Sequence, residues 1–186
     1  MDEESENQTK LPVHEFSPSG NHRLHSLRVD GLVRNLLVLT LTDLERLPHQ
    51  TVTDDFTCLE GWTVPKVRWR GVLLKTVLSL AEPLVEARYV QASAQSFTFP
   101  LSLDRTEAAL LAVGLNDTSI PPKHGGPVRL IVPGGECFTS IKWLDHLKLS
   151  AEPGTNSAER IALGRLPVPS PRSRNSEKKS NSGGHD

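Results

Sequence analysis

Three short stretches of the chain hold side chains that folding alone does not require. They are TCLEGWTVPKVRW at 57–69, HGGPVR at 124–129 and SIKW at 140–143. Cys58, in the first, is one of only two cysteines. A thiolate there would be a soft metal ligand. Arg129 stands inside the apolar run Val-Arg-Leu-Ile-Val. Burying a guanidinium without a partner is costly, so the position demands an anion. Its planar fork suits a carboxylate or a phosphate. Lys142, between Ile141 and Trp143, raises the same demand. Gly125 and Gly126 would let backbone N–H groups approach a phosphate closely. One thiolate, with His124, Arg129 and Lys142 as an anion pocket, suits a ligand that has a metal at one end and a phosphate at the other.

Each feature also has a plainer reading. Cysteine commonly packs as a small hydrophobe. Trp62 and Trp69 fit the core or rim as well as a cofactor. His124 before two glycines fits a turn. A zinc site from Cys58, His124, Cys137 or His146 is a further alternative, but no closely spaced ligand pair supports it. A Cys58–Cys137 disulfide is set aside because no secretory leader is visible and the pair is expected in a reducing, cytoplasmic compartment.

The elements that must position these residues are short. Leu27 and Val29 alternate ahead of the turn at Asp30-Gly31, and Leu37, Leu39 and Leu41 share one strand face. Thr42-Asp-Leu-Glu45 reads as a capping box opening a short helix. Thr51–Phe56 is strand-like and delivers the chain to Cys58. A helix is expected in VLLKTVLSLA after Gly71, with Leu73, Leu74, Val77 and Leu78 on its apolar side. Arg88–Ala92 and Phe97–Leu101 read as strands. Asp104 and Glu107 would cap a helix through Ala108–Ala112. Pro127–Val132 reads as a buried strand, and Lys142–Leu149 closes the fold. This irregular alternation indicates an α+β fold.

The chain has 186 residues and a net charge of −1, which suits one domain with tails and argues against nucleic-acid binding. Residues 1–20 are expected to be a disordered or extended arm, 21–150 the domain, and 151–186 a mostly disordered tail. The basic residues of that tail read as a solvated surface. No apolar run is long enough for a transmembrane segment.

Cys58-Leu-Glu-Gly-Trp62, Val67-Arg-Trp-Arg-Gly-Val72, His124-Gly-Gly-Pro-Val-Arg129-Leu-Ile-Val-Pro133 and Lys142-Trp143, in this order, resemble the molybdopterin-binding domain of the sulfite oxidase family. The resemblance runs from about Leu24 to Leu149. It implies the family's α+β fold with mixed sheets and short helices, and molybdenum-molybdopterin as cofactor. It implies Cys58 as the thiolate on molybdenum and the catalytic centre. It also implies His124, Arg129, Ser140, Ile141 and Lys142 as holders of the pterin and its phosphate, and Ser93 as a pterin contact.

The activity implied is two-electron oxygen-atom transfer on a small-molecule substrate, an oxyanion or a sulfoxide. With no CxxCH haem motif, electrons would come through a separate electron-transfer partner. The sequence departs from the family where Thr139 replaces a commonly basic residue. It also lacks a counterpart of the sulfite oxidases' active-site tyrosine, since Tyr89 falls in an expected strand. A cofactor-free or inactive binding module retaining the fold is the alternative.

Overall fold

The computed structural model describes Leu11, Val13 and residues 26–165. The chain forms two five-stranded sheets. The first contains β1 (Leu27–Gly31), β2 (Leu37–Leu39), β5 (Tyr89–Ala94), β6 (Phe97–Ser102) and β10 (His146–Ser150), in the order β2-β1-β10-β5-β6. The second contains β3 (His49–Thr57), β4 (Thr63–Leu73), β7 (Leu110–Leu115) and β8 (Thr118–Ser119) in that order, with β9 (Arg129–Ile131) also on β7. β1 and β10 run parallel while their other neighbours are antiparallel, so the first sheet is mixed. Three helices, α1 (Leu41–Glu45), α2 (Leu74–Ala81) and α3 (Ser157–Leu163), complete the α+β fold among the described residues.

Alternating side chains make the main core. Leu27 and Val29 of β1 lie with Leu147 and Leu149 of β10, and with Val90, Ala92 and Ala94 of β5. Leu74, Val77, Leu78 and Ala81, on one face of α2, pack into the same cluster. A second core forms on the other sheet around Val67, Trp69, Leu110, Ala112, Leu115 and Ile131, and Leu11 joins it.

Several element boundaries differ from the sequence expectation, for identifiable reasons. The helix expected through Ala108–Ala112 is absent. LLAVGL at 110–115 is instead the fully buried strand β7, flanked by β4 and by β8 and β9. Burial on both faces demands a continuous apolar run, and this placement overrides the helix preference of Leu and Ala. Asp104 lies in a single 3-10 turn, Leu103–Arg105.

Helix α2 begins at Leu74, because Val72 and Leu73 are still paired to Leu111 and Leu110. Gly71 marks a close crossing with β7, where a Cβ would fall 2.1 Å from the Leu111 carbonyl oxygen. The capping box of α1 sits two residues earlier than expected. Thr40 Oγ1 accepts from the Asp43 N–H at 3.2 Å, and Asp43 accepts from the Thr40 N–H at 2.9 Å.

The fold also continues past Ser150. α3 packs on β6 and on the 3-10 turn Cys137–Thr139. Asn156 caps it by accepting from the Glu159 N–H at 3.1 Å. Ser157 fastens it to the outer strand of the first sheet. Its hydroxyl accepts from the Thr98 N–H at 2.9 Å and donates to the Ser96 carbonyl at 2.6 Å. Of the tail's basic residues, Arg165 is described and lines the cavity treated below, whereas Arg172, Arg174, Lys178 and Lys179 lie outside the described residues.

Ser157→Ala removes both partners of this latch. The expected cost is about 1–3 kcal/mol, for polar groups left without their partner. Denaturant unfolding measures it, and an unchanged midpoint would show that the latch does not hold α3.

Candidate functional site

The β3–β4 hairpin presents Cys58 at its tip. The Cys58 N–H donates to the Trp62 carbonyl at 3.0 Å and the Gly61 N–H to the Cys58 carbonyl at 2.9 Å. Gly61 adopts φ +88°, a left-handed conformation that glycine takes without strain. Phe56 and Trp62 stack beside the cysteine with ring centroids 6.1 Å apart. Asp54, also on β3, accepts from the Gly134 N–H at 3.0 Å. This bond draws the loop after β9 toward the hairpin and brings Cys137 to Cys58, with the sulfurs 2.7 Å apart. Burial, then the hydrogen bond with Cys58, pushes the Cys137 thiol up to about 11.

Arg129 lies at the start of β9 and is 3% exposed. Its Nη1 donates to the His124 carbonyl at 3.0 Å. Its guanidinium carbon lies 4.9 Å from the Phe56 ring centre and 5.1 Å from that of Trp69. These contacts stabilise a cation, but no carboxylate pairs with Arg129 among the described residues. Its Nε is buried with no hydrogen-bond partner there. Burial lowers its pKa to about 10, which leaves it charged at neutral pH.

The Leu130 N–H donates to the Ile141 carbonyl at 2.9 Å, which lays Ser140–Lys142 beside Arg129. Lys142 reaches in along Gly125, where a Cβ would fall 2.6 Å from the lysine Cγ. Burial first, then the charges of Arg129 and Arg165, pulls the Lys142 pKa down to about 7. The expectation that Gly125 and Gly126 offer their amides to a phosphate is not met. Those N–H groups donate to the Pro122 carbonyl at 3.0 Å and the Pro121 carbonyl at 3.2 Å. Gly125 serves close packing instead.

Cys58, Arg129, Ser140, Ile141 and Lys142 therefore share the wall of one cavity of about 400 Å³. His124 and Ser93 do not line it. His124 is buried behind Arg129 and meets it through its carbonyl. Ser93 lies within the β5–β6 hairpin, opposite Thr98, and its carbonyl accepts from the Asp145 N–H at 3.2 Å. Gln95 and Phe97 represent that hairpin at the cavity.

The zinc alternative has no geometric support, because no three His, Cys, Asp or Glu side chains gather among the described residues. His146 is engaged 2.9 Å from Asp30.

Sequence reasoning missed one wall. Ala158, Ile161 and Ala162 of α3, together with Arg165, also line the cavity. The signal was present as Asn156-Ser-Ala-Glu159 followed by Ile-Ala-Leu, an N-terminal capping pattern ahead of apolar residues. Leu11 adds a contact from the N-terminal arm.

A thiol, a buried guanidinium with an idle Nε and a lysine whose charge is penalised by burial thus converge on one space. This donor set fits a ligand that combines a thiophilic metal with a phosphate.

Residues 12–158 match the family profile described as the oxidoreductase molybdopterin binding domain. The chain belongs to this family. It is 32% identical over 130 residues to the uncharacterized oxidoreductase YuiH of Bacillus subtilis (strain 168), covering 68% of this chain and 66% of that protein. It is 27% identical over 154 residues to the protein-methionine-sulfoxide reductase catalytic subunit MsrP of Campylobacter jejuni subsp. jejuni serotype O:2 (strain ATCC 700819 / NCTC 11168), covering 72% of this chain and 52% of that one.

Among solved structures, the sulfane dehydrogenase SoxCD from Paracoccus pantotrophus matches with a TM-score of 0.63 and 27% identity, over 69% of this chain and 39% of that one. The chain thus spans under two thirds of the relatives it matches, and about half of the methionine-sulfoxide reductase subunit. These likenesses support the sulfite oxidase-type fold expected from the sequence motifs. No helix among the described residues is long and apolar enough to cross a membrane.

Lys142 carries a cost that its removal should expose. Its folded pKa, about 7, lies below the 10.5 of an ordinary lysine, so the charged form destabilises the fold. Lys142→Met should therefore raise the stability of the cofactor-free protein. The gain is fully present below about pH 7 and fades as pH climbs from there toward 10.5, where the unfolded lysine also loses its proton. Denaturant titrations of both proteins near pH 6 and near pH 9 check this. Equal differences at the two pH values would contradict it.

Proposed function

We propose that the chain is a molybdenum cofactor-dependent oxidoreductase domain. The observation that carries this reading is the cavity in which the Cys58 sulfur and the uncompensated Arg129 guanidinium face one space. When bound, the cofactor would supply two-electron chemistry with transfer of an oxygen atom. The chain's own residues do the holding. Cys58 provides the metal thiolate, and losing its proton is part of forming that bond. Arg129 and Lys142 offer two cations to the pterin phosphate. Ser140 and Ile141 line the path between them.

His124 acts at one remove, since its carbonyl fixes the Arg129 fork. Ser93, off the cavity, would touch the pterin only by way of its hairpin, whose Gln95 reaches the wall. The ring faces of Phe56 and Trp69 hold the Arg129 guanidinium in place beside the cavity.

The substrate class that best suits this site is a small oxyanion or sulfoxide. The names of the relatives, a methionine-sulfoxide reductase subunit and a sulfane dehydrogenase, support sulfur-centred chemistry. Electrons would pass through a separate protein partner. The second reading, a module that keeps the fold without turnover, is favoured by Thr139. Its hydroxyl donates to the Glu136 carbonyl at 2.8 Å and adds no charge to the pocket.

Two substitutions test the roles. Cys58→Ser should abolish turnover of a small sulfoxide driven by a reduced viologen dye, whereas Cys137→Ser should not. A hydroxyl is a poor replacement for a soft thiolate donor. Full turnover by Cys58→Ser protein would contradict the metal-ligand role. A wild-type protein that binds molybdenum and pterin without turning over any oxyanion or sulfoxide would favour the second reading.

Arg129→Ala should lower pterin retention by removing charge-assisted hydrogen bonds of about 1.5–3 kcal/mol each. Arg129→Lys should restore it only in part, because the planar fork is lost. Pterin released by denaturation and measured by fluorescence gives the occupancy. Equal occupancy in Arg129→Ala and wild type would remove Arg129 from the cofactor site.

A further inference from the structure

We infer that Cys58 and Cys137 form an oxidisable dithiol that closes to a disulfide in the cofactor-free protein and withdraws Cys58 from the metal. The metal-withdrawal clause rests on the reading of Cys58 given above; the disulfide itself does not. The sulfurs lie 2.7 Å apart, although 79 positions separate them in sequence. A disulfide bond is about 2.05 Å long, so closure asks for little movement. Both residues are free thiols, half-buried, and both line the cavity, which gives a small oxidant a route to them.

Their positions are built rather than incidental. The hydrogen-bonded tip of the β3–β4 hairpin holds Cys58. The bond from the Gly134 N–H to Asp54 ties the segment before Cys137 to that same hairpin. Cys137 then opens a 3-10 turn fixed by the Thr139 N–H donating to the Glu136 carbonyl at 2.9 Å. Under reducing conditions the pair stays open, and oxidation is what would close it.

The reaction breaks two S–H bonds and forms one S–S bond, releasing two protons and two electrons. A hydroperoxide can take them, ending as water and an alcohol or as two waters. A low-molecular-weight disulfide can also take them, by exchange through a mixed disulfide, ending as two thiols. A thiol reductant reverses the step. A sulfur already bonded to sulfur has no thiolate to offer a metal, so the closed form cannot make the Cys58–metal bond and should take up less molybdenum.

The test uses the full chain purified without cofactor and treated with oxidised glutathione. Intact mass and peptide mapping without reductant follow the thiols. Uptake of molybdenum from isolated molybdenum cofactor is measured before oxidation, after it, and after dithiothreitol. The expected result is loss of two hydrogen masses, a Cys58 peptide linked to a Cys137 peptide, lower molybdenum uptake, and recovery of uptake on reduction. Cys137→Ser should give no internal link and should take up molybdenum like wild type before oxidation.

Stable glutathione adducts or untouched thiols in the wild-type protein, with no internal link, would overturn the inference while leaving the role of Cys58 standing. A linked protein that still takes up molybdenum as the reduced protein does would overturn the gate while leaving the role of Cys58 in the reduced protein standing. An unlinked protein that takes up no molybdenum even when reduced would overturn the inference and the cofactor reading alike.

Discussion

A single buried charge organises this molecule. Arg129 is placed in an apolar strand, against β7 of the second sheet, with 3% of its surface exposed. Desolvating a guanidinium is expensive, and among the described residues no carboxylate offsets it. The surroundings compensate partially. Phe56 and Trp69 offer ring faces, and the His124 carbonyl takes one N–H. The buried Nε keeps no hydrogen-bond partner among the described residues. Several other features follow from that placement. The 3-10 turn Pro122–His124 must sit where its carbonyl meets the guanidinium, and Gly125 must be bare so that Lys142 can come alongside. Two neighbouring cations repel each other, and the depressed Lys142 pKa expresses that repulsion on top of the cost of burial.

Much of this was legible in the sequence, because the requirement is local. An arginine inside Val-Arg-Leu-Ile-Val and a lysine between Ile141 and Trp143 show two cations set in apolar surroundings from residue types and neighbours alone. Strands with clear alternation, such as Tyr89–Ala94 and Phe97–Ser102, were also visible to within two residues. The misreadings arose where tertiary burial outweighed local preference. LLAVGL could be a helix or a strand on its own, and only its place between β4 and β8 decides. The backbone amides of Gly125 and Gly126 were hidden for a related reason. Whether an N–H is available depends on which carbonyl it meets, and Pro121 and Pro122 were already in position. The proximity of Cys58 and Cys137 depends on the long-range bond between Asp54 and Gly134, which no short sequence pattern encodes.

The cavity combines two kinds of wall. Cys58, Arg129 and Ser140–Lys142 fall inside the residues that match the family profile, 12–158. Ile161, Ala162 and Arg165 fall outside them, yet they face the same space. The helix that carries Ile161 and Ala162, α3, begins inside the matched residues and is clamped to β6 by Ser157.

The account stands on the claim that this cavity holds one molybdenum and one pterin. The most direct measurement is the metal and pterin content of the wild-type chain made in a host that synthesises the cofactor. Plasma mass spectrometry gives the molybdenum and zinc, and fluorescence of the oxidised pterin gives the pterin. The account predicts molybdenum and pterin in equal amounts, approaching one of each per chain, with no stoichiometric zinc. A folded, monodisperse protein containing zinc at one per chain, or no pterin at all, would contradict it.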